Sequence, residues 1–141
     1  MDQPLPSQTH SRALSGARIL AVDDDPMFLT LVGETLENLG CDVETRSNSR
    51  SALTAFLDVD PDLVILDMRM PGLSGLDLLR EIRKRSDVPI LFLSSCASEK
   101  DVANALRLGA DDYVQKPFRL LEFEARVAAL LNRPSKLVRM H

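Results

Sequence analysis

Leu63-Val64-Ile65-Leu66-Asp67-Met68-Arg69-Met70-Pro71-Gly72 is the stretch whose reading decides the fold. Four apolar residues, two of them β-branched, run directly into an aspartate, and a Pro-Gly pair breaks the chain soon after. An unbroken apolar run of this length suits a strand buried on both faces of a parallel sheet. The carboxyl end of such a strand is where ligands and chemistry gather in open α/β sheets. Asp67 is therefore either a turn residue at a strand end or a working group, and the flanking chain has to choose between them.

Outward from this stretch the same unit repeats. Ile19-Leu20-Ala21-Val22 is a first buried strand that ends in Asp23-Asp24-Asp25, and Pro26 suits the first turn of a helix. Phe28, Leu31, Val32, Leu36 and Leu39 follow helical spacing up to Gly40, a left-handed stop. Val43–Arg46 is a short second strand, and a helix capped by Ser49 carries Ala52, Ala55, Phe56 and Val59 on one face. After the third strand, Gly72 and Gly75 loosen a loop. A third helix then buries Leu76, Leu79 and Ile82, with Arg80, Arg83, Lys84 and Arg85 on a solvated face. Pro89–Leu93 is the fourth strand, ending at Ser94-Ser95. Ser98 caps a fourth helix with Val102, Ala105, Leu106 and Leu108, closed by Gly109. A fifth strand through Asp111–Gln115 reaches Lys116-Pro117, and a fifth helix from Arg119 to Asn132 turns Leu120, Phe123, Val127, Leu130 and Leu131 inward. Five strands alternating with five helices predict an α/β fold. Its core is a five-stranded parallel sheet in the flavodoxin-like order 2-1-3-4-5, with helices on both faces. Residues 1–16 read as a flexible polar N-terminal arm, 17–133 as the domain, and 134–141 as a short basic tail.

Composition narrows the classes. A chain of 141 residues supports one domain with a full core, and a net charge of −4 gives no reason to expect direct nucleic-acid binding. No apolar run is long enough to span a membrane, and the N-terminus lacks a basic-then-apolar leader. Cys41 and Cys96 form neither a disulfide framework nor a metal-site spacing, so reduced thiols in the cytoplasm are expected.

The strand ends hold the chemistry. Asp23 and Asp24 follow the first strand, Asp67 ends the third, Ser94 follows the fourth and Lys116 the fifth, all on one edge of the predicted sheet. Three carboxylates in one cleft repel each other unless a cation compensates. Hard oxygen donors with room for water suit Mg²⁺ (or Mn²⁺), so Asp23, Asp24 and Asp67 form a candidate metal site. Asp67 is either a ligand alone or also a nucleophile, since a carboxylate can attack phosphorus to give an aspartyl-phosphate. That transfer needs positioning and charge neutralisation, which a divalent cation, the Lys116 ammonium and the Ser94 hydroxyl would supply.

Taken together, Ile19–Pro26, Leu66–Gly72, Ser94, Gly109-Ala110-Asp111-Asp112-Tyr113 and Lys116-Pro117-Phe118 resemble the response-regulator receiver domains of bacterial two-component systems. The resemblance covers about Arg18 to Arg133 and is closest to receivers that precede winged-helix DNA-binding domains. It implies a phosphorylation-dependent switch in which Asp67 accepts phosphate from a histidine kinase or phosphotransfer protein. Asp24 would bind Mg²⁺ directly, Asp23 mainly through water, and Arg69 through its backbone carbonyl. Ser94 would be the switch hydroxyl, Tyr113 the switch aromatic and Lys116 the partner of the phosphate, with a cis bond at Pro117. The surface of the fourth helix, fifth strand and fifth helix would change shape and could pair two copies. Asp112, Glu122 and Arg126 match that pairing, whereas Val102 stands where a basic partner for Glu122 is common. Ser95 replaces a usual alanine, and Arg69 and Cys96 fill variable positions that tune phosphate lifetime. Such a chain is not an enzyme beyond weak Mg²⁺-dependent self-phosphorylation and self-dephosphorylation. After Pro134 only seven residues remain, which leaves a single-domain regulator or a fragment.

Two other readings stay open. A haloacid-dehalogenase-like phosphatase would use Asp23 as nucleophile and Asp25 as general acid, with Ser94 or Ser95, Lys116 and Asp111-Asp112 as the remaining motifs. It leaves Asp67 without a role and lacks the usual cap insertion. A receiver-like binding module that never takes phosphate would normally have lost a site residue, and none is lost here.

Overall fold

The computed structural model describes residues 14–68, 74–95 and 98–133. The strands are β1 (Arg18–Val22), β2 (Asp42–Arg46), β3 (Leu63–Asp67), β4 (Ile90–Ser94) and β5 (Asp112–Gln115). The helices are α1 (Pro26–Asn38), α2 (Ser49–Val59), α3 (Gly75–Arg83), α4 (Glu99–Leu108) and α5 (Leu120–Leu131). All pairings are parallel and the order is β2-β1-β3-β4-β5, as the alternating pattern predicts.

The two faces of the sheet explain the apolar run in β3. Leu63 and Ile65 point into a core shared with Leu29, Val32 and Leu36 of α1 and Phe123, Val127 and Leu130 of α5. Val64 and Leu66 point the other way, into a core shared with Ala52 and Phe56 of α2, Leu78 and Ile82 of α3 and Ala105 of α4. Because successive strand side chains alternate between faces, a central strand covered on both sides has to be apolar at every position.

Several helix details differ from the sequence reading. The α2 cap is Asn48, whose side chain accepts the Ser51 N–H, and Ser49 is the first helical residue and buried. Both are good capping types, and propensity alone does not separate neighbours. Ser98 does cap α4, in a reciprocal capping box with Asp101, and Gly40 and Gly109 both take positive φ after their helices. Leu31, Leu106 and Leu120 were expected inward and are exposed instead. Their burial is taken by Leu29, Ala105 and Phe123, which lie nearer the centre of each buried stripe.

The base of the sheet, opposite the carboxyl ends, also differs. Residues 14–16 were read as part of the arm, yet Leu14 is fully buried in the core and the Gly16 N–H donates to the Gly40 carbonyl. The Cys41 thiol donates to the Leu14 carbonyl, and burial pushes its pKa up to about 11, which suits an inert core thiol. The rest of the expected arm and the whole 134–141 tail lie outside the described residues. No helix among the described residues is long and apolar enough to cross a membrane.

Arg83 does not belong to the solvated basic face assigned to it. Its guanidinium reaches Asp111 at 2.9 Å and donates twice to the Gly109 carbonyl, at 2.8 and 3.0 Å. Asp111 also accepts from the Ile90 N–H at 2.9 Å and pairs with Arg133 at 2.7 Å. One buried carboxylate thereby ties together α3, the start of β4 and the segment just after α5.

Candidate functional site

Parallel pairing puts every strand's carboxyl end on one edge, and the strand order then fixes who meets whom. β3 lies between β1 and β4, so Asp67 is flanked by Asp23-Asp24 on one side and Ser94 on the other. Asp23, Asp67 and Ser94 are buried at 2%, 7% and 2% exposure, whereas Asp24 is open to solvent. One carboxylate oxygen from each of Asp23, Asp24 and Asp67 falls within 4.8 Å of the others.

Lys116 reaches this group from the end of β5. Its Nζ donates to Asp23 Oδ2 at 2.5 Å and lies 3.6 Å from Asp67 Oδ1. The strand end that aims it is pinned by the Lys116 N–H, which donates to the Ser94 carbonyl at 2.8 Å, and the Lys116–Pro117 bond is cis. Asp23 is held as well: its Oδ1 accepts the Asp25 N–H at 3.0 Å, and its own N–H donates to the Arg46 carbonyl. Tyr113 is half-buried on β5 opposite Phe92 and packs against the core of the α2, α3 and α4 face.

The charges do not balance. Burial, and next the charge of Asp23, pushes the Asp67 carboxyl up from 3.8 to about 6; Lys116 pulls it down and Asp24 adds to the rise. Among the described residues, three carboxylates against one ammonium leave an excess of negative charge in a cleft that opens at Asp24. A set of hard oxygen donors with that excess fits a divalent cation such as Mg²⁺, which keeps several of its waters.

All the predicted site residues that fall within the described chain converge here: Asp23, Asp24, Asp67, Ser94, Lys116 and Pro117 line one edge, with Tyr113 on the strand beside them. Arg69 and Cys96 lie outside the described residues. Two contributors were not anticipated. Phe28 on α1 places its ring 4.0 Å from Lys116 Nζ, a contact between positions far apart in the chain that no local pattern signals. Gly75, read as loosening a loop, opens α3 against the end of β3: its N–H donates to the Met68 carbonyl at 3.0 Å. A Cβ there would collide with the Asp67 carbonyl oxygen and come within 3.0 Å of Met68 Cα. The obstruction is backbone, so it cannot swing aside. Gly75→Ala should cost about 1–3 kcal/mol, the usual range for overpacking, read as a fall in the urea midpoint. An unchanged midpoint would contradict the close approach.

Comparison with known proteins agrees with this geometry. The chain is 44% identical over 116 residues to the DNA-binding response regulator MtrA of Mycolicibacterium smegmatis, covering 82% of this chain and 51% of that one. It is 43% identical over 127 residues to the transcriptional regulatory protein TrcR of Mycobacterium tuberculosis, covering 89% of this chain and 49% of that one. The chain thus spans about half the length of the curated relatives it matches. Among solved structures, the BeF3-activated N-terminal receiver domain of Klebsiella pneumoniae RstA superimposes with a TM-score of 0.79 at 32% identity, covering 82% of this chain and 99% of that one. The Francisella response regulator 1452 receiver domain gives 0.79 at 30% identity, covering 84% and 98%.

These matches do not support the phosphatase alternative, and the geometry shows why. The proposed general acid, Asp25, is exposed and caps α1 by accepting the Met27 N–H, while the proposed nucleophile, Asp23, is held by Lys116. The response regulator receiver domain model matches residues 19–128, and the chain belongs to that family, a regulatory domain rather than a classical enzyme.

Proposed function

We propose that Asp67 is the phosphoryl acceptor of a signalling switch driven by a histidine kinase or a phosphotransfer protein. The observation that carries this reading is the Asp23, Asp24 and Asp67 cluster with the Lys116 ammonium against two of its members. An Asp67 carboxylate oxygen attacks phosphorus. The bond from phosphorus to the donor's histidine nitrogen breaks, and its electron pair leaves with the donor. Asp24 and Asp23 would hold Mg²⁺ (or Mn²⁺) with Asp67 and the Arg69 carbonyl. When bound, the ion supplies neutralisation of the phosphoryl oxygens. Lys116 brings a second positive charge to those oxygens, and Ser94 a hydroxyl donor. Loss of the phosphoryl group to water completes a weak self-catalysed cycle.

The switch follows from the new charge. A phosphoryl group adds three strong acceptors at a buried edge, and a Ser94 drawn toward them leaves room that Tyr113 can enter. The surface of α4, β5 and α5 changes with it, and that surface is the one we assign to an output partner or to a second copy of the chain. In the described state Arg126 is engaged within its own chain, by Asp112 at 3.0 Å and Glu122 at 3.1 Å, and these are the charges a dimer would re-pair. We assign no direct nucleic-acid contact to this domain, place it in the cytoplasm, and take DNA binding as a property of the longer relatives.

Incubation with Mg²⁺ and acetyl phosphate, followed by intact mass measurement, tests the assignment. Wild type should gain one phosphate and Asp67→Asn none, with Asp23→Asn strongly impaired. An Asp67→Asn protein that still takes a stable phosphate would sink the reading.

A further inference from the structure

We infer that Phe28 is a positioning residue that holds the Lys116 ammonium in the site through the face of its ring. The inference rests on the assignment of Asp67 as phosphoryl acceptor. Lys116 Nζ lies over the Phe28 ring, 4.0 Å from its centroid, and this contact joins those to Asp23 and Asp67. The Lys116 side chain is only 16% exposed, so its charge is largely removed from water, where the attraction of a cation to an aromatic face is strongest. The ring is itself fixed. It meets Phe118 edge to face at 5.6 Å, and Phe118 stacks at 4.6 Å on the fully buried Phe123. This stack connects α1, the segment after the cis bond and α5.

The geometry matters because Lys116 must serve two partners. Its ammonium has three N–H donors, and phosphoryl oxygens arriving at Asp67 would draw it from its short contact with Asp23 toward the new charge. An aromatic face is broad and weakly directional, so the ammonium can move across it without leaving the cleft. The ring adds to the hold that the pinned strand end and the Asp67 contact give a flexible lysine stem while it exchanges partners. An aliphatic side chain of equal bulk would fill the space and provide none of this attraction.

The test compares Phe28→Leu, Phe28→Met and Phe28→Tyr with wild type, using acetyl phosphate at saturating Mg²⁺ and following the rate at which phosphate is acquired. Leu and Met should slow acquisition about five- to thirtyfold, the range from a partly exposed to a desolvated cation–π contact, and Tyr should stay within about twofold of wild type. NMR gives the signature that simple packing would not. The Lys116 ε-methylene protons should be shifted upfield by the ring in wild type and Phe28→Tyr, and not in Phe28→Leu or Phe28→Met. A Met variant as fast as wild type overturns the proposal, whether or not the Leu variant folds. So does a wild-type protein whose Lys116 resonances show no ring shift. A wild-type chain that never takes phosphate overturns the acceptor assignment instead, which separates the two failures.

Discussion

In metal-free buffer at pH 7, Asp67→Asn should be more stable than wild type by roughly 2–3 kcal/mol, several degrees in Tm for a domain of this size. The Asp67 carboxyl is raised to about 6 by burial and by Asp23, against 3.8 when unfolded. The sign follows from which state gives up its proton first. Below pH 3.8 both states are protonated and the folded state carries no penalty. Between 3.8 and 6 the unfolded chain ionises while folded Asp67 stays neutral, so wild-type stability falls as pH rises. Above 6 the full cost of holding a buried, repelled carboxylate is present. The gain in Asp67→Asn should therefore be largest at neutral pH and shrink to about 0.5 kcal/mol near pH 4. Thermal melts at the two pH values check it, and an equal gain at both would show that packing, not charge, is responsible. Adding Mg²⁺ should raise the wild-type midpoint and narrow the gap, because a cation relieves the same repulsion.

Asp111→Ala should act in the opposite direction and cost about 3 kcal/mol, the lower end of the range for removing one partner of a buried ion pair. Its carboxylate accepts from Arg83, Arg133 and the Ile90 N–H, and its side chain is only 6% exposed. The Arg83 side chain, 14% exposed, would remain in place, and burial already pulls its pKa below the ordinary value. Without Asp111 that cation keeps the Gly109 and Ser86 carbonyls and the nearby charge of Asp87. Asp111→Asn should recover part of the loss, since an amide oxygen can still accept the Ile90 N–H. Urea unfolding of the three proteins separates the contributions. An alanine variant as stable as wild type would mean that water replaces the carboxylate at no cost.

These two aspartates mark where sequence is informative and where it is not. Asp67 could be read because it ends an apolar run, and parallel topology sends all such ends to one place. Asp23, Asp24, Ser94 and Lys116 were found by the same logic, which needs only the strand order. Asp111 was read as part of the fifth strand and of a matching motif, not as the partner of a buried cation, and Arg83 only as part of a charged face. Arg83 stands beside Lys84 and Arg85, and nothing local shows which cation folds back toward a carboxylate 28 positions on. Phe28 was read as helix packing because its partner, Lys116, comes from the far end of the sheet. Leu31 and Leu106 show the complementary difficulty: a helix of mixed leucines carries more apolar residues than its buried stripe can take.

The seal at the base of the sheet has a practical use. Leu14 is locked into the core there and Ser15 beside it is exposed, at the end opposite Asp67. A five-residue strand puts roughly 16 Å between those two ends. A fluorophore or surface tether attached at Ser15 would therefore sit a full strand length from the Asp67 carboxylate. The protein could be immobilised or observed by that handle while the opposite edge, with its aspartate cluster, is left open to solvent.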